Sequence, residues 1–255
     1  MVDTLLSNTY IYILVFVRLA GMIAFNPLFA HRNIPNMTRV AFIFMTTLIV
    51  APNVQMRMQM ATSLDLVAAM ARELLAGLFL GFVFHIFYYM LFTVGDLMDT
   101  QFGMAMAKVF DPGSSIQMSM SSSLLNILFI LYILATDTHL LMIRMFATSF
   151  DAVAVGSLRL STELISHILT LYAGVFALAV RLALPFIVAE FVLEVSMGVL
   201  MKLIPQIHVF VINIQFKIFL GILLLFLFAS PIASFVDNYM GIMMENMQSM
   251  FTAMT

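Results

Sequence analysis

The chain has 255 residues, of which 63% are hydrophobic and 9% are charged, with a mean hydropathy of +1.09 and a formal net charge of −2. Soluble globular domains carry about 25% charged residues, so this composition excludes an ordinary soluble protein and predicts an integral membrane protein or part of a very apolar assembly. The sequence has no basic run, so nothing in it indicates nucleic-acid binding. It has no cysteine, which excludes disulfides and thiolate metal sites.

Six hydrophobic segments lie along the chain, separated by turn signals rich in Pro, Gly and Asn. A bilayer span needs about 20 apolar residues, and two of the segments reach or approach that length without a charge. We therefore predict an all-α, polytopic membrane protein with one domain over residues 1–255. The segments are 4–30, 40–50, 74–95, 124–150, 164–193 and 218–236, with loops predicted near 31–39, 51–65, 96–123, 151–163 and 194–208.

Charged residues interrupt several of these segments. An Arg or Asp at the centre of a membrane helix costs about 2.5 to 3.5 kcal/mol on insertion scales, so we expect these side chains to avoid lipid and to be satisfied by neighbouring subunits. Glu190 and Glu194 are one helical turn apart, where two carboxylates repel unless a cation or water lies between them. The interrupting charges are Arg18, Asp137, Arg144, Arg181, Glu190 and Glu194.

Gly77 and Gly81 form a G-x-x-x-G pair in the third segment. Such a pair permits two helices to approach closely. It also occurs by chance in apolar helices, so the sequence leaves close packing and coincidence as equal alternatives.

Catalytic patterns are weak in this sequence. Asp96 and Asp99 in VGDLMD are the best candidates, because an intramembrane aspartyl protease shares one proton between two aspartates. The pattern around them does not match such a protease, and we expect both to cap or end the helix entering the next loop. The histidines are isolated from one another, which predicts no zinc site: His31, His85, His139, His167 and His208. We therefore predict no enzyme, metal or cofactor.

An ion-coupled transporter is the alternative from another functional class. Its mark is a broken helix with convergent charges near the middle of the membrane, and Pro185 with Arg181, Glu190 and Glu194 fits that description. Such transporters usually contain two half-repeats, and we find no internal repeat. The acid pair is equally compatible with a structural role.

Four further stretches carry recognisable motifs, in the order VFVRLAGMIAFNPLFAHRNIPNMTRVAF, the GLFLGF helix, GDLMDTQFGMAMAKVFDPGSS and SMGVLMKLIPQIHVFVINIQFKI. In this order they resemble the family of the flagellar export-gate protein FliR and its injectisome counterpart. The resemblance covers about residues 11 to 236. The matching positions are Arg18, Pro27, Pro35, Gln101, Gly103, Asp111, Pro112, Pro205, Gln206, Val209, Phe210 and Lys217. Lys202 and Gln215 depart from the residues that the family more often has.

The resemblance implies helical hairpins within a multi-subunit export gate of type III secretion, in the bacterial cytoplasmic membrane and the flagellar basal body. It implies FliP-like and FliQ-like subunits and an FlhB-like switch protein as partners, and unfolded flagellar proteins as cargo. The injectisome gate is the closest alternative. The resemblance also implies roles in assembly or helix packing for Arg18, Pro35, Gly77, Gly81, Arg181, Glu190, Glu194, Pro205, Gln206, Phe210 and Lys217.

The stretch KVFDPGSSIQMSMSSS, residues 108–123, places small polar residues in the middle of an apolar chain. In the resembled family the matching loop plugs the pore. Non-helical backbone at membrane depth is tolerated where protein buries it or where it lines an aqueous cavity, and methionines can seal around variable surfaces. A simple connecting loop is the alternative. The predicted plug residues are Met104, Met106, Phe110, Asp111, Pro112, Gly113, Ser114, Ser115, Gln117, Met118 and Met120.

Methionines recur at spacings of three and four residues near the C-terminus, as an amphipathic helix requires. They are Met240, Met243, Met244, Met247, Met250 and Met254, with Phe251 among them. We expect this helix to dock on a partner subunit or to lie at the membrane interface, with simple fraying of the chain terminus as the alternative.

Overall fold

The computed structural model describes residues 2–29, 34–54, 63–104, 119–158, 160–204 and 209–254. Within these ranges every regular element is a helix. The helices are α1 (Val2–Ala24), α2 (Asn36–Val50), a 3-10 turn (Ala51–Asn53), α3 (Ser63–Gln101), α4 (Met120–Ala135), α5 (Thr138–Ala152), α6 (Thr162–Leu203), α7 (Val209–Leu227) and α8 (Ala229–Ala253).

Two helices, α3 and α6, are each long and apolar enough to cross a bilayer. Two further spans are possible if α4 with α5 and α7 with α8 each count as one bent span. The prediction of an all-α, polytopic membrane protein is therefore confirmed. At 39 and 42 residues, α3 and α6 are about 58 and 63 Å long, roughly twice the 30 Å of a hydrocarbon core.

Two of the predicted segments each contain two helices. Segment 124–150 breaks between α4 and α5, where Asp137 adopts a left-handed conformation with φ 55°, a region in which Asp is enriched. Segment 218–236 breaks at Phe228, between α7 and α8. Pro231 explains that break, because a proline has no N–H for the carbonyl four residues earlier and its ring clashes with that carbonyl.

Four of the predicted loops are partly wrong, because α3 extends into 51–65 and 96–123 and α6 extends into 151–163 and 194–208. Helix α3 includes residues 63–73 and 96–101, and α6 continues through Pro185 as far as Leu203. Residues 63–73 contain mainly Ala, Leu, Met, Arg and Glu, which favour helices even where the run is too polar for lipid. Hydropathy therefore located the apolar part of each helix but underestimated its length.

The chain divides into two compact units. The first comprises Met1–Phe87, Ile133–Tyr172 and Gly241–Thr255, and the second comprises Tyr88–Tyr132 and Ala173–Met240. In the first unit, α1 buries Leu14, Leu19 and Ile23, and in the second unit, Phe129 and Phe186 are among the largest buried side chains. The single domain predicted over residues 1–255 stays a prediction.

Candidate functional site

The central polar loop lies mostly outside the described residues. Met104 is half-buried in the turn that follows α3, and Met120 is the first residue of α4 and is 66% exposed. The other predicted plug residues lie outside the described residues: Met106, Phe110, Asp111, Pro112, Gly113, Ser114, Ser115, Gln117 and Met118.

The serines that end the loop form the capped start of α4. Ser119 lies directly before the helix, and its Oγ accepts a hydrogen bond from the Ser122 N–H at 3.3 Å. The carboxylate of Asp99, on α3, accepts from the Ser121 N–H with both oxygens at 3.2 Å. Such acceptors satisfy N–H groups that have no partner within the first turn of a helix. Asp99 therefore caps the helix that leaves the loop, whereas we predicted a role at the helix that enters it.

Helices α3 and α4 approach each other closely at the same place. The Ser122 hydroxyl donates to the Phe92 carbonyl at 2.7 Å. A Cβ added at Gly95 would overlap the backbone N and Cα of Ser122. Glycine is therefore required at position 95 for this contact.

Phe102 anchors the chain where it leaves α3. Its ring is fully buried and meets the Phe186 ring of α6 edge-on, with the ring centroids 6.0 Å apart. A Cβ added at Gly221 of α7 would lie 2.5 Å from Cγ of Phe102. The ring thus occupies a notch that only a glycine at position 221 leaves open.

Arg18 lies at the centre of a fully buried network in the first unit. Its Nε donates to Glu73 Oε2 at 2.6 Å and its Nη2 to Glu73 Oε1 at 3.1 Å. Its Nη1 donates to the carbonyls of Ser149 and Val153 at 3.0 and 2.9 Å. The Gly156 N–H donates to Glu73 Oε1 at 2.7 Å. The expectation that a neighbouring subunit satisfies Arg18 is therefore wrong, because the chain satisfies this charge itself.

The glycines of the G-x-x-x-G pair face α1. A Cβ added at Gly77 would fall on the carbonyl oxygen of Arg18, and one added at Gly81 would lie 2.8 Å from that of Met22. Glu73 is one turn before Gly77 and therefore on the same face of α3. Glu73 was not among the predicted site residues. Its spacing from Gly77 indicates the face of α3 on which it lies, but not that Arg18 is its partner.

The charges of α6 lie in contrasting surroundings. Glu194 is 63% exposed and pairs with Lys217 of α7 at 3.4 Å. Glu190 is only 1% exposed, and neither of its carboxylate oxygens has a hydrogen-bond partner among the described residues. Arg181 is exposed, and no hydrogen bond or ion pair to it is found in the described part of the chain. A neighbouring subunit could therefore reach Arg181 directly, whereas the chain itself covers Glu190.

Four further positions from the family resemblance lie at helix boundaries or outside the described residues. Pro35 directly precedes α2, and its carbonyl accepts a hydrogen bond from the Arg39 N–H at 3.2 Å. Phe210 belongs to the first turn of α7. Pro205 and Gln206 lie outside the described residues.

The C-terminal methionines pack within the chain itself. Met243, Met247, Met250 and Met254 of the first unit are all buried. Their recurrence at helical spacing correctly predicted an amphipathic helix, which is α8. The expectation that the methionine face of α8 docks on a partner or lies at the interface is wrong, because other residues of the same chain bury these methionines.

A polar groove between the start of α6 and the end of α8 contains a Ser–His contact. His167 Nε2 lies 3.2 Å from Ser249 Oγ, with Glu163 also lining the groove. The Ser249 hydroxyl donates to the Asn246 carbonyl at 3.0 Å, so its proton is directed away from the histidine that a nucleophile would need as its base. Among the described residues, no group of three or more His, Asp or Glu could hold a metal ion.

Comparisons with known proteins agree with the motifs. The family model for bacterial export proteins, family 1, matches residues 9–243. The chain is 30% identical over 227 residues to the flagellar biosynthetic protein FliR of Pectobacterium carotovorum subsp. carotovorum, covering 88% of this chain and 85% of that protein. It is 24% identical to FliR of Bacillus subtilis (strain 168), covering 94% and 93%.

It is also 24% identical to FliR of Escherichia coli (strain K12), covering 91% of this chain and 89% of that protein. The family that the sequence motifs resemble is therefore confirmed over nearly the whole chain. On the length of the family match and of these alignments, the chain belongs to family 1 of the bacterial export proteins, together with the FliR proteins.

Proposed function

We propose that this chain is a structural subunit of the flagellar type III protein export gate, in the cytoplasmic membrane at the flagellar basal body. It forms the export pore with FliP-like and FliQ-like subunits, next to an FlhB-like switch protein, and unfolded flagellar proteins pass through that pore. The observation that carries the proposal is the alignment with flagellar biosynthetic relatives over most of both chains.

The exposed surface of α6 supports a multi-subunit assembly. In an apolar 18-residue stretch of α6, only 33% is buried by the chain itself, whereas 56% of such a stretch in α3 is buried. Arg181 lies in the middle of this helix, about 28 Å from its first residue at 1.5 Å per residue. An arginine in a membrane helix normally faces protein or water, so a neighbouring subunit or an aqueous pore is the environment that suits it.

The alternative functions have less support. The relatives named above are flagellar biosynthetic proteins, which favours the flagellum over an injectisome. An ion-coupled transporter would use a broken helix at Pro185, but α6 is continuous there. Asp99, the best catalytic candidate, uses both carboxylate oxygens to cap α4.

The loop between α3 and α4 is the part of the chain that we assign to the pore plug. Ser119 and Met120 belong to the capped start of α4, so the plug assignment narrows from 104–120 to residues 104–118. A segment that must move aside cannot include residues that complete a buried helix terminus.

Deletion of residues 113–118, which keeps the Ser119 cap, tests the plug. We expect a gate that still assembles, because Pro112 and Gly113 predict a loop here and loops tolerate deletion better than helices, but that lets small ions and dyes cross the membrane. Dye permeability is measured in cells that contain normal amounts of the complex. A deletion of residues 56–61, in another predicted loop, is the control and should leave permeability unchanged.

Unchanged permeability at normal complex abundance would refute the plug. Co-purification with the FliP-like and FliQ-like subunits tests the gate assignment separately. A chain that is stable and active without these partners would contradict that assignment, whatever the permeability result.

A further inference from the structure

An amphipathic cavity lies in the first compact unit, beside the start of the apolar part of α3. Its volume is about 590 Å³, which is within the range of small-molecule pockets. We infer that this cavity binds an anionic phospholipid, with the phosphate at Arg72 and the acyl chains along the leucines. Such a site would exist whether or not the chain belongs to an export pore. The described residues that line the cavity are Arg72, Leu75, Gly156, Ser157, Leu158 and Leu160, and Arg159 lies outside the described residues.

Arg72 brings to this cavity a positive charge that its neighbours do not neutralise. Its side chain is exposed, and its Nη1 donates to the Gly156 carbonyl at 3.2 Å. No ion pair to Arg72 is found in the described part of the chain. The adjacent Glu73 is not available to it, because that carboxylate pairs with Arg18 and accepts from the Gly156 N–H. A guanidinium has five N–H donors, so most of them are free for the oxygens of a phosphate, which arginine binds with paired hydrogen bonds.

The rest of the described lining is mainly apolar. Leu158 is 5% exposed and Leu75 is half-buried, whereas Leu160 is 64% exposed and is therefore the outermost of the three leucines. The Ser157 hydroxyl already donates to a backbone carbonyl of its own turn at 2.7 Å. Among the described lining residues, Arg72 therefore has the only side-chain N–H or O–H groups without a partner. One cation beside hydrocarbon walls fits a ligand that has one anionic group and an apolar chain.

The position of Arg72 along α3 favours a lipid over a soluble ligand. The uncharged run of α3 begins at Leu74, two residues after Arg72, and continues to Gly95. Two residues of an α-helix rise about 3 Å, and long basic side chains extend from the edge of the hydrocarbon towards the headgroups. Anionic headgroups attract arginines at this depth, and basic pockets between membrane helices bind them. The guanidinium of Arg72 therefore lies where a phospholipid places its phosphate.

The test places a fluorescent reporter beside the cavity. The chain has no cysteine, so Leu160→Cys gives it one position for an environment-sensitive fluorophore, and the cysteine-free chain in the same complex gives the background. Phosphatidylglycerol is titrated into the purified complex in a neutral detergent, and the half-saturating mole fraction is measured. Phosphatidylcholine, which has no net charge, should need a mole fraction about fivefold higher, the effect of one arginine near an anionic headgroup. Added salt should weaken only the binding of phosphatidylglycerol.

Variants of Arg72 identify the residue that binds the headgroup. Arg72→Gln removes the charge, while its amide can still donate to the Gly156 carbonyl. We expect it to raise the half-saturating fraction of phosphatidylglycerol about fivefold. Arg72→Lys keeps the charge and should stay within about twofold of the natural chain. Arg144→Gln is the matched control, because it removes another exposed arginine of the same unit, and it should leave the half-saturating fraction unchanged.

Glycerol phosphate, which has the headgroup chemistry without acyl chains, separates a lipid from a free phosphate. It should not compete with phosphatidylglycerol, and competition by it would assign the cavity to a soluble phosphate and overturn the lipid site. Equal half-saturation by phosphatidylglycerol and phosphatidylcholine would overturn the site as well, as would equal values for Arg72→Gln and Arg144→Gln. If Arg72→Gln fails to assemble, the comparison of the two lipids and the salt dependence, both measured with Arg72 in place, still decide.

Discussion

Arg18 and Arg181 are both arginines within apolar helices, but their surroundings differ. Arg18 is fully buried, is paired with Glu73 and donates to two carbonyls of α5 and its C-terminal turn. Its guanidinium carbon also lies 4.4 Å from the centre of the Phe150 ring, a cation–π distance. The same residue type therefore serves as an internal link at one position and as an exposed charge at the other.

Substituting Arg18 with Met should strongly destabilise the protein. Removal of one partner from a buried ion pair costs about 3 to 5 kcal/mol, because the remaining charge is left uncompensated. For a chain of this size, that loss lowers the melting temperature by roughly 6 to 20 °C. The measurement is thermal unfolding of the detergent-solubilised complex.

Arg144→Met is the control for loss of a positive charge, since Arg144 is an exposed residue of α5. It should change the melting temperature by no more than about 2 °C, as surface substitutions do. The double variant Arg18→Met/Glu73→Met should recover part of the loss, because it leaves no unpaired charge. Equal melting temperatures for Arg18→Met and Arg144→Met would contradict the internal role of Arg18.

At the scale of the elements, small residues determine which helices can touch. Gly21 of α1 and Gly77 of α3 face each other, since a Cβ at Gly21 would lie 2.9 Å from the carbonyl of Leu74 and one at Gly77 would overlap that of Arg18. The short separation also brings Arg18 within hydrogen-bond distance of Glu73. The close packing of α1 on α3 and the Arg18–Glu73 ion pair therefore depend on each other along one face of α3.

Gly77→Ala should separate α1 from α3. Overpacking of this kind costs about 1 to 3 kcal/mol, and here it would also stretch the Arg18–Glu73 pair. Gly174→Ala is the matched control in α6, because its Cβ would meet no atom within 4 Å and alanine favours a helix by up to about 1 kcal/mol over glycine. Melting temperatures should therefore fall for Gly77→Ala and stay level or rise for Gly174→Ala. If Gly77→Ala and Gly174→Ala changed the melting temperature by the same amount, α1 and α3 would not be closely packed.

On the scale of the whole molecule, the chain is incompletely covered by its own residues. Large apolar side chains of α6 and α7 are exposed, among them Phe191, Phe219 and Phe226. Exposed apolar surface of this extent suits lipid or a neighbouring subunit. Arg181 suits a subunit or water better than lipid, since a charge facing hydrocarbon is unfavourable.

Arg181→Leu should weaken assembly without damaging the fold of the chain. We expect the isolated variant to be at least as monodisperse in detergent as the natural chain, because one exposed membrane charge is removed. The amount that co-purifies with the proposed FliP-like and FliQ-like partners should fall, since we expect Arg181 to meet an acidic or carbonyl group of a partner. The measurement is the ratio of partner to this chain after purification.

Lys202→Gln is the control, because Lys202 is exposed in the last turn of α6 and lies at the end of the apolar helix. It should leave the ratio unchanged. If the ratio of partner to this chain is unchanged in Arg181→Leu, Arg181 does not belong to the assembly surface. An aqueous pore would then be the favoured environment for its side chain.

Composition and periodicity predicted most of the fold. Uncharged runs located the apolar part of α3 and the second half of α7, and methionine spacing located α8. The helix ends were less predictable, because α3 and α6 continue into polar residues where hydropathy falls while helix propensity remains high. The break at Asp137 was missed because a single left-handed residue leaves almost no trace in an apolar run.

The sequence by itself determined that this is a membrane protein, that it is helical, and that it belongs to a family of bacterial export proteins. These properties depend on composition, local periodicity and ordered motifs, which can be read along the chain. Only the tertiary structure decided that Arg18 meets Glu73, 55 residues away, and that Asp99 meets Ser121, 22 residues away. Pairings of this kind depend on which helix faces pack together, and nothing in the local spacing of either residue specifies its distant partner.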